Sequence, residues 1–450
     1  LYSQEIRQTL SAEIQRELQD AKDGAAIAPS MRLADRDMHA SIAYIDEALF
    51  NAETMSISPS HVHYLLRNRI PELPGWFVDG VERTLRSIDH QEPPVTLLPL
   101  RWLDSRQSAA LASDASYPRA LLPAAELFAT GAAHAGESRH PRRRATRLAQ
   151  QELFCRWALS TPATREAFWK LANHAASSPL TEDFFEALFG FDYSELRDRL
   201  SDYLRAATRR GQSIDIGDLP PLRELQIERA SPNQIARLRG EWERLAVNHV
   251  QRRLPGAREP YLAQARRTLR RAYDAGDRDP RLLATLGLCE VDAGNDAGAR
   301  EFLGPATAAG VVRPRAYAEV ARIRFAPLRE RIAQEKSLSF TELAPVIGPL
   351  RQGVRQAPPL AETYVLLAEA WAACELSPTA EEFAELEAGA RLFARYPEYA
   401  LPLARAFARH AKRNEALHTL DLSSREIADA ATAAGIARLR AELTDTKDPP

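Results

Sequence analysis

Two histidines and two carboxylates that stand near one another in the sequence have the residue types that bind a divalent metal. His61 and His63 share one short segment, and Asp79 and Glu82 stand in the next. Imidazole nitrogens and carboxylate oxygens are common zinc ligands, and a catalytic zinc usually has three protein ligands and one open position. These four residues are therefore the candidate metal ligands.

The segment that carries the histidines is predicted to be a helix. Its apolar residues recur at helical spacing: Val62, Leu65, Leu66 and Ile70. Ser58 followed by Pro59 is typical of an N-cap and a first helical position. On a helix, residues two apart point about 160° away from each other, so His61 and His63 cannot bind one ion together. An interpretation without metal stays open, in which both histidines are polar and packing residues of this helix.

The stretch Ser58-Pro-Ser-His-Val-His63, followed by Trp76-Phe-Val-Asp79-Gly80, resembles the active-site segment of gluzincin zinc metallopeptidases. Those enzymes carry His-Glu-x-x-His on a helix, and a later Trp-(Leu/Phe)-x-Glu-Gly supplies the third ligand. When the two patterns are aligned on His63, the first metal histidine falls on Pro59 and the catalytic glutamate falls on Ser60. The third-ligand glutamate becomes Asp79.

The resemblance therefore implies a peptidase-like lobe that has lost its chemistry. Proline has no donor for zinc, and serine is a poor general base at neutral pH. No catalytic residue and no zinc are expected, because only His63 and Asp79 match ligand positions, and catalytic zinc usually has three protein ligands. The alternative is an active zinc metallopeptidase with a non-standard ligand set, in which His61, Glu82 or His90 completes the site.

The C-terminal half, from about Pro260 onward, resembles tetratricopeptide repeats. The clearest unit begins at Pro280. Gly287 stands at a packing position of its first helix, and Gly294 stands at the turn between its two helices. Small residues are expected where the second helix approaches the first, at Ala299 and Ala306.

Further repeats are predicted to start at Pro314, Pro359 and Pro397, with a longer insertion from Phe325 to Pro345. Arrays of this kind stack helix pairs into a superhelix whose concave face binds peptides or protein segments. The resemblance thus implies a non-catalytic interaction or scaffold protein with a protein or peptide partner. Arginines on the predicted first helices are the candidate partner-binding residues: Arg315, Arg322, Arg405 and Arg409. Two simpler interpretations stay open, a generic all-α domain and a solvated arginine face.

Composition narrows the function classes. A net charge of −2, with 27% charged residues, lacks the excess of positive charge that is typical of nucleic-acid-binding proteins. No apolar run reaches the roughly 18 residues that cross a bilayer, and no signal peptide is recognised. Phosphate-binding, dinucleotide-binding and nucleophile-elbow patterns are also absent. The cysteines stand far apart in apolar helical contexts and are predicted to be buried rather than paired: Cys155, Cys289 and Cys374.

The predicted fold is mainly α. A remnant α+β gluzincin-like metallopeptidase lobe is expected over residues 1–206, a linker over 207–230, and a tetratricopeptide-like α-helical solenoid over 231–450. Ser3–Lys22 is predicted to be an amphipathic helix, and Ala40–Ile45 to be a strand of the small sheet that precedes the active-site helix in metallopeptidases. Relatives of this kind are usually exported in bacteria, so the resemblance implies an envelope or periplasmic location.

Overall fold

The computed structural model describes residues 31–42, 59–89, 96–102, 121–129, 141–178, 180–213, 230–251, 254–335, 337–393, 396–423 and 430–445. In these ranges the chain is mainly α, as predicted. The helix predicted over Ser3–Lys22 and most of the predicted linker lie outside the described residues. None of the described helices has both the length and the apolar character needed to cross a membrane.

The chain forms two compact units. The repeat unit contains the described residues within Leu1–Ser56, Gln226–Glu387 and Pro402–Ala416, and the lobe unit contains those within Ile57–Leu225, Ala388–Leu401 and Leu417–Pro450. This division differs from the predicted boundaries in two respects. The strands before residue 57 group with the repeats, and the last part of the chain groups with the lobe.

Two small antiparallel sheets account for the described strands. β1 (Met31–Ala34) and β2 (His39–Ile42) form a hairpin in which Leu33 lies opposite Ala40. The second sheet has the order β3-β4-β5, with strands of two residues each: β3 (Ile88–Asp89), β4 (Thr96–Leu97) and β5 (Gln212–Ser213). A strand is thus present in the predicted segment Ala40–Ile45, of which residues 43–45 are not described. Its hairpin belongs to the repeat unit and not to the predicted peptidase sheet.

Seven helices begin the lobe unit within its described residues: α1 (Pro59–Arg67), α2 (Gly75–Leu85), α3 (Ala124–Leu127), α4 (Pro141–Ala158), α5 (Pro162–Ser177), α6 (Glu182–Phe189) and α7 (Tyr193–Ala207). The helix predicted for the histidine segment is confirmed by α1. Helix α2 packs closely on α4, and Gly80 permits this approach. A Cβ at Gly80 would lie 2.5 Å from Cys155 Sγ and 2.7 Å from Gln151 O.

The repeat unit and the C-terminal part of the chain contain the remaining helices: α8 (Pro232–Gln251), α9 (Arg258–Asp274), α10 (Pro280–Asp292), α11 (Asp296–Ala308), α12 (Pro314–Glu335), α13 (Phe340–Val354), α14 (Ala361–Ala372), α15 (Ala380–Leu392), α16 (Pro397–Arg409), α17 (Arg413–Ser423) and α18 (Ala430–Asp445). Helices α8 and α9, α10 and α11, and α12 and α13 pack as successive hairpins. The first helices of neighbouring hairpins also contact one another, α8 with α10, α10 with α12, and α12 with α14. We call α8, α10, α12, α14 and α16 the A row.

The hairpin of α10 and α11 has the predicted small residues at its close contacts. Ala299 and Ala306 are fully buried, and a Cβ on Gly287 would lie 2.6 Å from the Leu303 side chain. Gly294 makes the turn with a φ of +72°, a left-handed conformation that glycine adopts without strain. The tetratricopeptide-like pattern of this unit is therefore confirmed.

The segment Phe325–Pro345, expected to be a longer insertion, contains the second half of α12 and the start of α13. At 22 residues, α12 is longer than its neighbours, which shifts the next start along the chain. The cysteines are free and buried as predicted.

Candidate functional site

Three of the predicted metal-ligand residues come together in the lobe unit. His63 lies on α1, and Asp79 and Glu82 lie on α2, three residues apart and so on one face of that helix. One ligand atom from each residue lies within 4.8 Å of the others, and all three side chains are partly buried. We call these residues the triad.

Close polar contacts already link two members of the triad to each other and to an arginine. His63 Nδ1 lies 2.6 Å from Glu82 Oε2. The other carboxylate oxygen of Glu82 accepts hydrogen bonds from Arg86 Nε at 3.0 Å and Nη2 at 2.5 Å. Burial raises the pKa of Asp79, although the neighbouring His63 and Arg147 oppose this effect. The triad thus offers one imidazole and two carboxylates, and one of those carboxylates is already in contact with His63 and paired with Arg86.

The donor set is one that a divalent ion can use. An imidazole and two carboxylates supply the three protein ligands that catalytic zinc sites usually have. Pro59, Ser60 and His61 lie in the first turn of α1, and their side chains are outside the described part of the chain.

The predicted partner-binding arginines have different environments in the structure. Arg405 and Arg409 are exposed on α16. Arg322 is 38% exposed and pairs with carboxylates of α11 and α12. Arg315 lies at only 4% exposure within a buried ion network, so it does not present an open surface. It is buried because the β1–β2 hairpin, distant in sequence, covers it.

A pocket of about 270 Å³ opens on the A row between α12, α14 and α16, and we call it the inner pocket. Its lining includes Phe325, Arg329, Ile332, Glu369, Ala373 and Arg405. Arg329 Nη2 donates to Glu369 Oε2 at 2.6 Å, and the Arg329 guanidinium carbon lies 5.2 Å from the centre of the Phe325 ring. Arg405 makes no hydrogen bond or ion pair with any residue in the described ranges. The pocket therefore combines apolar walls, one neutralised ion pair and one open guanidinium group.

A buried ion network at the tip of the β1–β2 hairpin was not indicated by any sequence pattern. Asp35 Oδ2 lies 2.5 Å from both Arg244 Nη2 and Arg315 Nη1. Asp37 Oδ2 accepts a hydrogen bond from the backbone N of Arg315 at 2.8 Å, and its Oδ1 lies 3.2 Å from Arg313 Nε. These side chains are between 0% and 8% exposed.

The charges in this network shift the two aspartates in opposite directions. Burial alone would raise the pKa of Asp35, but the guanidinium groups of Arg244 and Arg315 outweigh it and hold that pKa well below its usual range. Burial raises the pKa of Asp37, and the opposing effect of Arg313 is too small to reverse this. Asp35 is thus the anion that the arginines stabilise most.

No family model matches this sequence, and no curated protein matches it. Among solved structures, YrrB, described as a TPR protein with an unusual peptide-binding site, has 13% identity over 43% of this chain and 88% of its own, with a TM-score of 0.32. A thermophilic TPR protein of Thermus thermophilus has 18% identity over 44% of this chain and 98% of its own, with a TM-score of 0.30. PilF of Pseudomonas aeruginosa has 16% identity over 48% of this chain and 96% of its own, with a TM-score of 0.32.

These structures share little sequence with this chain. The repeat unit is a tetratricopeptide-like helical array, and the hairpins of this chain, rather than the low scores, are the basis for that description.

Proposed function

We propose that this chain is a non-catalytic protein-interaction scaffold. In this proposal, the repeat unit binds a peptide or a segment of another protein, and the lobe unit is a degenerate gluzincin-like peptidase domain. The observation that carries the proposal is the inner pocket, because it lies on the A row of a helical-repeat array, and such arrays use an extended concave surface for binding.

The size and lining of the inner pocket indicate the chemistry of the bound segment. Its volume of about 270 Å³ is below the roughly 300–1,000 Å³ that is typical of small-molecule sites, so it suits one anchoring side chain of a longer peptide. Phe325 and Ile332 favour an apolar anchor. Arg405, without an anionic partner in the described ranges, favours a carboxylate next to that anchor. We therefore propose a partner segment with an apolar residue beside an acidic one.

Arg405→Glu is expected to weaken binding of such a segment at least tenfold, because it places a like charge opposite the carboxylate of the ligand. The probe is a set of fluorescent peptides in which leucine, methionine or phenylalanine is flanked by aspartate or glutamate, measured by fluorescence anisotropy with the full chain. Arg409→Glu is the matched control, since Arg409 is also exposed on α16 but does not line the pocket. Equal effects of the two substitutions, or no binding by any peptide of the set, would argue against the inner pocket as the binding site.

One observation favours a second function for the lobe unit, the binding of a divalent ion. His63, Asp79 and Glu82 would hold the ion, since their ligand atoms already converge. A zinc ion bound there would polarise a carbonyl group or activate a water molecule. With Ser60 at the position of the catalytic glutamate, the lobe still lacks the general base that such a peptidase uses.

Elemental analysis of protein purified without chelators or an affinity metal distinguishes a lobe that binds zinc from a degenerate lobe that does not. We expect near-zero zinc and no peptidase activity, because Glu82 already contacts His63 and pairs with Arg86. One zinc per chain that is lost in His63→Ala, but kept in the control His174→Ala, would instead establish the metal site. Cleavage of an unstructured protein substrate by the zinc-loaded chain would contradict the scaffold proposal.

A further inference from the structure

We propose that Arg244, Arg313 and Arg315 form a binding site for an acidic turn, and that the turn of the β1–β2 hairpin occupies this site as an internal ligand. We call it the acidic-turn site. The external ligand that fits it is a peptide segment with two aspartates separated by one residue. This proposal stands apart from the inner pocket, since the two sites share no residue.

The contacts of the hairpin turn resemble those of a docked peptide. The turn spans Asp35–Met38, and its polar partners come from three first helices of the array and from the residue just before one of them: Arg244 on α8, Arg313 before α12, Arg315 and Glu319 on α12, and Glu362 on α14. The turn therefore lies along the A row, which is the surface that helical repeats use to bind other chains.

The three charged residues of the turn each contact groups of opposite charge. Asp35 is held by two guanidinium groups, and Asp37 by the backbone N–H of Arg315 and the Nε of Arg313. Between them, Arg36 points the other way and its Nη1 donates to Glu362 at 3.0 Å. The contacts thus favour a segment in which an acidic, a basic and an acidic residue follow one another. This order of charges gives the site specificity beyond a general attraction for anions.

The arginines are held in place by carboxylates of neighbouring helices of the A row, so the site is preorganised. Arg244 Nη1 donates to Asp292 at 3.0 Å, and Arg315 Nη2 donates to the same carboxylate at 2.7 Å. Arg313 Nη2 donates to Glu241 at 3.0 Å. These bonds do not involve the hairpin, and they would keep the three guanidinium groups oriented when the turn leaves.

The hairpin, in contrast, depends on the site. An isolated two-stranded hairpin is marginally stable at best in water. In the described chain, β1 and β2 form a sheet of only two strands. Leu33 is buried with Leu245 and Ala246 of α8, and Met38 packs against the same small apolar cluster. The ion pairs of Asp35 and Asp37 act together with these apolar contacts to hold the hairpin to the A row.

The test uses a fluorescent peptide of residues 31–42 and the full chain. In the Asp35→Asn/Asp37→Asn variant the internal turn loses both charges, so the peptide is expected to bind at least tenfold more tightly than it binds the wild-type chain. A peptide with both aspartates replaced by asparagine should not bind either chain. Fluorescence anisotropy measures both affinities, and circular dichroism establishes that each variant is folded.

Two substitutions in the Asp35→Asn/Asp37→Asn chain locate the binding. Arg315→Gln is expected to abolish it, whereas Arg351→Gln is the control, because Arg351 pairs with carboxylates of α15 and does not contact the turn. Arg405→Glu should also leave it unchanged, which separates this result from the test of the inner pocket. Equal peptide binding by the wild type and the Asn variant, or binding that survives Arg315→Gln, would overturn the proposal.

A second measurement needs no substitution and so does not depend on the folding of a variant. In the wild-type chain, an excess of the unlabelled peptide is expected to speed amide hydrogen exchange in residues 31–42 as it displaces the internal turn. The peptide with asparagines in place of the aspartates should have no such effect. Exchange in residues 31–42 that does not respond to the aspartate peptide would mean that the hairpin is a permanent part of the fold.

Discussion

Arg244→Ala is expected to lower the free energy of unfolding by about 3–5 kcal/mol, the range found when one partner of a buried ion pair is removed. The Arg244 side chain is fully buried, and its guanidinium bonds Asp35, Glu241 and Asp292 at 2.5–3.1 Å. Alanine leaves these carboxylates in the interior with fewer partners. Denaturant unfolding followed by circular dichroism measures the loss.

Arg239→Ala is the matched control for this prediction, because Arg239 pairs with Glu243 on the same helix but is 58% exposed. Exposed helix pairs of this spacing contribute about 0.3–0.5 kcal/mol, so the control should barely change stability. Similar losses in the two variants would mean that the buried network does not stabilise the repeat unit more than a surface ion pair does.

The dependence of stability on acidic pH tests the same network independently. Asp35 has a pKa below its usual range in the folded chain, so its stabilising effect is present above the unfolded value of about 3.9 and is lost as the pH falls below it. Asp37, whose pKa burial raises, acts in the opposite direction. Without Arg244 the pKa of Asp35 moves back up, so Arg244→Ala should lose less stability than the wild type between about pH 5 and pH 3.

The elements that could be predicted from sequence are those set by local spacing. The small residues at Gly287, Ala299 and Ala306 mark a helix hairpin because both helices lie within one short stretch. The capping box at Ser231 and Gln234 is likewise local, and both of its reciprocal hydrogen bonds are present. Asp79 and Glu82 share a helix face for the same reason.

The buried ion network could not be predicted, because its partners are far apart in the chain. Asp35 and Arg315 are separated by 280 residues, and no periodicity connects a short acidic turn to an arginine on a distant helix. Local spacing predicts that Arg315 lies on a first helix, which the structure confirms, but local spacing does not reveal that the hairpin covers this arginine. The triad could be predicted in part. The resemblance indicates His63 and Asp79, but the contact of Glu82 with His63 depends on how α1 packs against α2, which the sequence does not show.

Trp76→Ala is expected to lower the free energy of unfolding by about 3–5 kcal/mol, the usual range for large-to-small changes of a buried aromatic residue. Trp76 is 2% exposed. Its ring makes edge contacts with Phe128, Phe154 and Phe168, with centroid distances of 5.3–6.0 Å. Because these rings come from three different segments of the lobe unit, a cavity at this point loosens most of that core. Denaturant unfolding followed by circular dichroism measures the loss.

Trp76 stands three residues before Asp79, so the cavity lies beneath the helix that carries Asp79 and Glu82. Trp169→Ala is the control, since Trp169 belongs to the same unit but is 46% exposed and should cost much less. Trp76→Phe keeps most of the ring volume and removes an indole N–H that is buried without a hydrogen-bond partner in the described chain, so its loss should be well below that of alanine. If Trp76→Ala lowers the free energy of unfolding no more than Trp169→Ala does, the packing of Trp76 does not stabilise the core of the lobe unit.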